Sequence, residues 1–359
     1  MIDPRQVIEG WAVETYGGLI FTVKGVVHPP DRVIAYLRYL PDASGERRAG
    51  HGPLQGNTYR RVYREIDQLR ALAELHPEYV ARDPMLGMVV QSVPWPDVVR
   101  VHDPLRRLRE LRELRESGAT TDIENDAVRL AELIAEAGGV GLGRLGITGS
   151  LLVGLDEPSS DLDLLVLGEA AGWAVRDALL ALLAEPNGPL KRPNAAALRA
   201  LHNLHRDDTP LTFAQFCRAQ ARKVNEGTFA GRGYFLRFVR TAQESGESYG
   251  EPSYAPGGEA RVSAVVTSAA GALFTPNHYA LGDVEFLEGT PVEDLREVVS
   301  HRGRFAEQAV SGEAVEAQGR LERVMPGTGS GWHRLVVGGR SGEYLVVRSG
   351  LRGTECEKV

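Results

Sequence analysis

The feature that most restricts how this chain can fold is a short segment near its middle. There an apolar strand, a glycine turn, a second apolar strand and a helix follow one another. The second strand is apolar on both sides, which predicts that it is buried. The predicted bounds of the two strands and the helix are residues 145–148, 162–167 and 171–183. The segment therefore predicts a compact core of the α+β class.

Two carboxylates stand at the beginning of the second strand. Asp161 and Asp163 are separated by one residue, and successive strand side chains alternate between faces, so both project from the same face. Two carboxylates this close repel each other unless a cation lies between them. Oxygen ligands of this kind suit Mg²⁺ or Mn²⁺, with substrate phosphates and water as the remaining ligands. The pair is therefore predicted to bind a metal ion.

The glycine turn before this strand has a chemistry of its own. Gly149 lets the backbone approach a ligand closely, and Ser150 adds a hydroxyl at the start of a predicted helical turn. Backbone N–H groups in such a turn are suited to phosphate oxygens. We therefore expect Gly149 and Ser150 to contact the phosphates of a nucleotide.

Together these residues resemble the catalytic motif of the DNA polymerase beta-type nucleotidyltransferase superfamily. The pattern of that superfamily is a Gly-Ser turn, a spacer, and Asp-x-Asp within an apolar strand. Here Gly149 and Ser150 form the turn, Ser160 ends the spacer, and Asp161 and Asp163 follow it. The resemblance implies that the two aspartates are catalytic metal ligands and that the glycine and the serines contact the nucleotide.

The resemblance covers residues 123–185, about a sixth of the chain. It implies a polymerase-beta-like core of mixed sheet and helices. The layout also looks like that of the little-characterised predicted nucleotidyltransferases of archaea and some bacteria. That second resemblance depends on a leading strand at residues 36–39 and on a trailing β-rich region.

Members of the superfamily usually supply a third carboxylate from a later strand, and the sequence does not show where it would lie. The next predicted strand, residues 234–240, holds arginines rather than acids. Glu259, Asp283 and Glu285 lie on or beside later strands, where solvated surface residues are the simpler interpretation. Without a third acid, the enzyme would use a substrate that is already acidic, or would be inactive.

Further cations lie among glycines and aromatic residues. Lys223 and Arg232 are candidates to hold a triphosphate or a second substrate. The alternative is a lysine that favours a helix C terminus, followed by a glycine-rich loop. Residues 300–305 carry two arginines, a glycine and a phenylalanine, which could contact RNA or form an exposed turn.

Five arginines line a predicted helix at residues 103–118. Leucines at three-residue spacing form its apolar side, and glutamates at helical spacing neutralise the positive charges. A solvated face is therefore favoured over a phosphate-binding strip. The arginines are Arg106, Arg107, Arg109, Arg112 and Arg115.

The order of predicted elements suggests three parts and a tail. Several short strands after residue 259 predict a small β-barrel-like domain at the C-terminal side, and residues 42–56 are predicted to form an exposed loop. The parts are an N-terminal α+β unit at residues 1–100, a nucleotidyltransferase catalytic domain at 101–250, a β-rich barrel-like domain at 251–350 and a flexible tail at 351–359.

Charge and composition limit the cellular setting and the partners. The 359 residues carry a net charge of −7, which argues against a protein that binds nucleic acid over its whole surface but leaves room for a local basic groove. No apolar run reaches the length of a membrane span, and the first four residues do not begin a signal peptide. The two distant cysteines fit neither a disulfide framework nor a zinc site. We expect a cytoplasmic protein without a membrane partner.

These observations predict a metal-dependent nucleotidyltransferase with an NTP donor. It would move a nucleoside monophosphate to a hydroxyl or phosphate acceptor and release pyrophosphate. One alternative is an RNA-end or tRNA-directed transferase. Another is a catalytically silent nucleotide-binding or interaction protein. The acceptor, the base preference and the oligomeric state stay open at this level.

Overall fold

The computed structural model describes residues 7–50 and 54–348. Over these residues the fold is mixed α+β, with several sheets and eight helices. The helices are α1 (Glu65–Leu75), α2 (Pro104–Glu116), α3 (Asp122–Gly138), α4 (Gly149–Val153), α5 (Glu169–Ala184), α6 (Ala195–His205), α7 (Phe213–Gln220) and α8 (Ala242–Ser245). The α+β class predicted from the sequence is confirmed.

Two compact units share the chain. The first unit comprises Met1–Pro84, Met88–Leu190 and Gly227–Tyr249. The second unit comprises Met85–Gly87, Lys191–Glu226 and Gly250–Val359. The three-part division into residues 1–100, 101–250 and 251–350 stays a prediction. The predicted flexible tail, residues 351–359, lies outside the described residues.

An eight-stranded sheet begins the first unit. Its path runs β4-β5-β3-β2-β1-β8, and β7 pairs with both β3 and β6. Val13, Phe21 and Leu37 are fully buried in the apolar cluster on this sheet, as the alternating sequence pattern favours. The strands are β1 (Ala12–Thr15), β2 (Ile20–Val23), β3 (Arg32–Pro41), β4 (Arg47–Arg48), β5 (Thr58–Arg61), β6 (Val80–Asp83), β7 (Met88–Pro94) and β8 (Val98–His102).

The predicted exposed loop at residues 42–56 is wrong in part. It contains β4, and Ala49 and Leu54 are buried in a small apolar cluster. Strand β4 could not be predicted, because two residues among glycines and charged side chains carry no hydrophobic period.

A five-stranded sheet, ordered β11-β12-β13-β10-β9, contains both strands of the segment that carries Asp161 and Asp163. Strand β10 lies between β13, to which it is parallel, and β9, to which it is antiparallel. Its residues Leu162, Leu164 and Leu165 have no exposed surface, which confirms the predicted burial. The strands are β9 (Leu145–Ile147), β10 (Leu162–Leu167), β11 (Leu190–Lys191), β12 (Glu226–Phe229) and β13 (Arg232–Val239).

The predicted arginine-lined helix is α2, capped by the side chain of Asp103, which accepts hydrogen bonds from the first-turn amides. Arg106 pairs with Glu110 on the same helix, as expected of a solvated face. Arg107 departs from that expectation. It is 9% exposed and its Nη2 lies 2.8 Å from Glu124 on α3. The helix register turns this one arginine toward α3, so it holds two helices together.

A six-stranded sheet dominates the second unit. Its path is β14-β15-β16-β18-β17-β19, and β14 also pairs with β17, so the pairings of five strands form a closed circuit. The sequence analysis missed β16, whose buried residues do not alternate. The strands are β14 (Ser253–Gly271), β15 (Asn277–Glu288), β16 (Leu295–Ser300), β17 (Ala314–Met325), β18 (Trp332–Val336) and β19 (Tyr344–Val347).

Across residues 7–50 and 54–348, none of the helices combines the length and the apolar composition that crossing a bilayer requires.

Candidate metal and nucleotide site

The pairing of β9 with β10 sets the centre of the candidate site in the first unit. Ile147 is the register partner of Leu164, and the Thr148 amide donates to the Asp163 carbonyl at 2.9 Å. The chain therefore leaves β9 beside the first residues of β10. Gly149 begins α4 there, next to the side chain of Asp163.

Each of the two carboxylates lies against a glycine. Gly149 has a φ of +66°, and a Cβ at this position would overlap the carboxylate of Asp163. A Cβ on Gly233, in β13, would come within 2.5 Å of Asp161 Oδ1. The two aspartates thus occupy space that only residues without side chains leave open. The sequence analysis identified Gly149 but missed Gly233, because nothing local to Gly233 shows which strand lies beside β13.

Neither carboxylate has a protein partner in the described part of the chain. Asp161 is exposed and Asp163 is half-buried, and their oxygens form no hydrogen bond or ion pair there. Burial and, to a smaller extent, the charge of the neighbouring Asp161 raise the pKa of Asp163 to about 6. This is the electrostatic repulsion that the one-residue spacing predicts.

Three arginines oppose this rise in the pKa of Asp163. Arg237 acts most strongly, followed by Arg38 and Arg61. Arg237 lies on β13, two residues beyond Phe235, the register partner of Asp163. The negative pair therefore stands within a basic surrounding built from several strands.

The neighbouring strand supplies no third acid. Arg237 Nη1 instead pairs with Glu9 at 2.9 Å, and Lys24 Nζ lies 3.2 Å from the same carboxylate. Glu9 is buried, and although burial works to raise its pKa, these two cations and the Gly25 amide lower it overall. It therefore acts as a fixed counter-ion of the two cations.

The sequence left the third acid open among Glu259, Asp283 and Glu285, all of which lie in the second unit. Over residues 7–50 and 54–348, no group of three or more His, Cys, Asp or Glu side chains is placed to hold a metal ion. Metal binding by the aspartate pair stays a prediction.

The turn before the aspartates differs from the expected phosphate cradle in one respect. Gly149 and Ser150 begin α4, but α4 has five residues and ends at Gly154 in the left-handed conformation. A single helical turn sums few peptide dipoles, so any phosphate contact here depends on individual N–H groups. Ser150 is buried at 8% exposure. Its role in phosphate binding, like that of Gly149, stays a prediction.

The other predicted phosphate-binding residues of the first unit stabilise the loop that leads into β10. The hydroxyl of Ser160 accepts from the Glu157 amide at 3.0 Å. Arg232 pairs with Asp126 at 3.0 Å and donates to the carbonyl of Pro158. Ser160 precedes Asp161 in the chain, and Arg232 precedes Gly233, which lies against Asp161. A contact to nucleotide stays a prediction for both.

A basic cluster near the aspartates was missed by the sequence analysis. Arg38 on β3 and Arg61 on β5 lie over the ring of Tyr63, with guanidinium carbons 4.3 and 4.0 Å from its centroid. Arg47 on β4 pairs with Glu157 at 2.9 Å. The local signal for Arg38 is that it lies on the same face of a predicted strand as Tyr36. The pairing of β3 with β5 cannot be seen in local sequence.

Lys223 lies in the second unit, where the structure brings together two regions that the sequence analysis treated separately. It is 3% exposed and its Nζ donates to the carbonyl of Arg304, within the predicted RNA-contact segment. His205 is a neighbour, and its pKa is lowered by burial and then by the charge of Arg304. A phosphate contact of Lys223 stays a prediction.

Comparison with known proteins finds one informative similarity in sequence. The chain is 29% identical over 329 residues to the uncharacterized protein MJ1086 of Methanocaldococcus jannaschii, covering 91% of this chain and 94% of that protein. No protein-family model matches the chain. No solved structure matches it either.

Proposed function

We propose that this chain is a metal-dependent nucleotidyltransferase of the DNA polymerase beta type, acting in the first unit. It moves a nucleoside monophosphate from an NTP to an acceptor and releases pyrophosphate. The observation that carries the proposal is a pair of carboxylates that have no partner among the described residues and that each lie against a glycine backbone. Such a pair is electrostatically unfavourable in the protein alone and is suited to a cation.

The donor set fits Mg²⁺ or Mn²⁺. Asp161 and Asp163 would hold the ion, since Mg²⁺ is commonly bound through one or two carboxylates while substrate phosphates and water fill its other positions. When bound, the ion supplies Lewis-acid stabilisation of charge on the reacting phosphate. The chain itself contributes the placement: Gly149 and Gly233 leave the space in which the carboxylates and a phosphate chain can meet.

Of the two acceptor classes, a phosphate is supported better than a hydroxyl. A hydroxyl must lose a proton as it attacks, and no third acid accompanies the aspartate pair among the described residues. A phosphate oxygen is already ionised at neutral pH. In the proposed step it attacks the α-phosphorus of the NTP, a new P–O–P bond forms, and the bond to the bridging oxygen breaks to release pyrophosphate.

The finer architecture belongs to the same proposal. The mixed pairing of β9, β10 and β13 with α5 supports a polymerase-beta-like core. The closed circuit of five strands supports a barrel-like C-terminal domain. That circuit, with Lys223 and Arg304 in the same unit, favours an RNA-directed transferase as the second candidate function.

The test is turnover of NTPs labelled at the α-phosphorus, with Mg²⁺ or Mn²⁺. Total RNA and a set of phosphate-bearing small molecules serve as acceptors. We expect pyrophosphate release with transfer of the label. Asp161→Asn and Asp163→Asn should each lower the rate more than about 100-fold, because loss of the metal removes several kcal/mol of transition-state stabilisation. Asp177→Asn, on the exposed side of α5, is the matched control and should leave the rate unchanged.

Equal turnover by the aspartate variants would contradict the proposal. Nucleotide binding without release of pyrophosphate under every condition would favour the silent binder. Dependence of the label transfer on RNA would favour the RNA-directed candidate.

A further inference from the structure

Two arginines of the first unit form no ion pair with any of the residues that the structure describes. Arg38 and Arg61 come from β3 and β5, and both lie over the ring of Tyr63, which is 61% exposed. Cation–π contact holds the two guanidinium groups in place. Neither guanidinium forms a hydrogen bond or an ion pair in the part of the chain that the structure describes. Other arginines on the strands of the first unit do have ion-pair partners, since Arg60, Arg100 and Arg237 each pair with a carboxylate.

This cluster also contains buried hydrogen-bond donors that lack an acceptor among the described residues. The Nε atoms of Arg47 and Arg61 are shielded from solvent and have no hydrogen-bond partner in the described residues. A buried donor left without an acceptor destabilises the protein. The arrangement is therefore more favourable with an acceptor group bound than without one.

The charges of this cluster act on each other. Burial lowers the pKa of Arg38, and the neighbouring charge of Arg61 lowers it further. The hydroxyl of the buried Tyr39 lies within the electrostatic reach of Arg38, Arg47 and Arg61. Three cations thus converge on one region, and only Arg47 has a carboxylate partner there.

The same region adjoins the candidate catalytic carboxylates. Arg38 and Arg61 are close enough to Asp163 to counter the rise of its pKa. Both arginines lie on the eight-stranded sheet, whereas Gly149 lies against the Asp163 carboxylate at the turn after β9. If the glycine turn and the metal bind the NTP, the arginines are available to bind a second anion.

We propose that Arg38 and Arg61, held against Tyr63, form a binding site for the phosphate group of the acceptor. Guanidinium groups present planar forks of donors that match phosphate oxygens. The site supplies a reason why no third acid accompanies Asp163 among the described residues, since an ionised acceptor needs no base. The assignment to the acceptor rests on the proposed function, whereas the binding of phosphate by the two arginines does not.

The first arm of the test measures binding of inorganic phosphate by calorimetry. We expect wild-type protein to bind one phosphate and Arg38→Gln and Arg61→Gln to weaken the affinity at least tenfold. Arg60→Gln is the matched control, because Arg60 lies next to Arg61 on β5 but pairs with Asp42 at 3.2 Å, and it should change the affinity less than twofold. Arg38→Lys keeps the positive charge but loses the planar fork of donors, so its phosphate affinity should lie between those of the wild type and Arg38→Gln. An intermediate affinity would show that the loss in Arg38→Gln is not caused by unfolding.

The second arm separates acceptor from donor. Phosphate binding is repeated with Mg²⁺ and a saturating non-hydrolysable ATP analogue. We expect phosphate to bind together with the analogue. Displacement of phosphate by the analogue would assign the arginines to the triphosphate of the donor and overturn the proposal, as would wild-type affinity in the arginine variants or no phosphate binding by the wild type.

The third arm separates this proposal from the proposed function. The double variant Asp161→Asn/Asp163→Asn should still bind phosphate, because its arginines are intact. Retained phosphate binding in a protein that shows no nucleotidyl transfer would leave the arginine site standing while the proposed function fails. Loss of phosphate binding in a folded double variant would contradict the independent site.

Discussion

At the beginning of β10, the side chain of Asp163 is held in surroundings that favour its neutral form. Its pKa rises from 3.8 to about 6 because of burial and the nearby Asp161. Between these pH values the folded chain binds more protons than the unfolded chain, so this group makes stability fall as pH rises through that window. At neutral pH this group lowers the free energy of unfolding by about 1–3 kcal/mol. A destabilising group of this kind is typical of a functional site.

Gly149 offers a test at the scale of one residue. Gly149→Ala adds a Cβ that overlaps the carboxylate of Asp163, in a backbone conformation with φ of +66°. Gly139→Ala is the matched control, since its φ is +59° and nothing lies within 4 Å of its added Cβ. Both should lose about 1–2 kcal/mol of stability from the left-handed backbone. Only Gly149→Ala should also weaken Mn²⁺ binding, at least tenfold.

Urea denaturation and Mn²⁺ titration of the two glycine variants check this prediction. Equal Mn²⁺ affinity in both variants would show that the contact of Gly149 with Asp163 does not matter for the metal. Equal loss of affinity in both would show that backbone strain alone is responsible.

The sequence predicted those site residues whose spacing is local. Asp161 and Asp163 are neighbours on one strand, and Gly149 precedes them by one turn and a loop. Gly233 and Arg38 could not be predicted, because each reaches the aspartates through strand pairings between distant parts of the chain.

Among the elements, α2 and α3 are fixed to the site by one buried ion pair. Arg107 Nη2 lies 2.8 Å from Glu124 Oε1, and Arg107 Nε donates to the carbonyl of Leu151 in α4 at 3.0 Å. The helix that follows the Gly-Ser turn is thereby tied to two longer helices. The capping box of Thr121 with Glu124 holds the acid of the pair in place.

Loss of this arginine should destabilise the fold strongly. Arg107→Ala leaves Glu124 buried at 2% exposure without its charge partner, which costs about 3–5 kcal/mol. Arg106→Ala removes an exposed pair with Glu110 on the same helix and should cost less than about 1 kcal/mol. Thermal and urea unfolding measure both variants. A similar small loss in the two would contradict the structural role assigned to Arg107.

Longer elements with a clear hydrophobic pattern were predicted from sequence, whereas the two-residue strand β4 was not. The bounds of β10 were predicted to the residue, and the helix predicted at residues 171–183 is α5, which begins two residues earlier and ends one residue later. Strand β4 was missed because two residues carry no pattern.

For the whole molecule, local patterns predicted the α+β class but not the pairing of distant strands. The circuit of the second unit depends on β14, whose 19 residues pair with both β15 and β17. No local signal specifies two partners for one strand. Similarity to the Methanocaldococcus jannaschii protein covers 91% of this chain, so it includes residues of both units.

The central claim is that the aspartate pair holds a divalent cation together with an NTP, and electron paramagnetic resonance of Mn²⁺ tests it most directly. The titration uses the full chain with a non-hydrolysable ATP analogue, with Asp161→Asn/Asp163→Asn as the test variant and Asp177→Asn as its control. We expect wild type and control to immobilise Mn²⁺ together with the analogue, and the double variant to lose this signal while remaining folded. Equal Mn²⁺ binding by wild type and the folded double variant would contradict the claim.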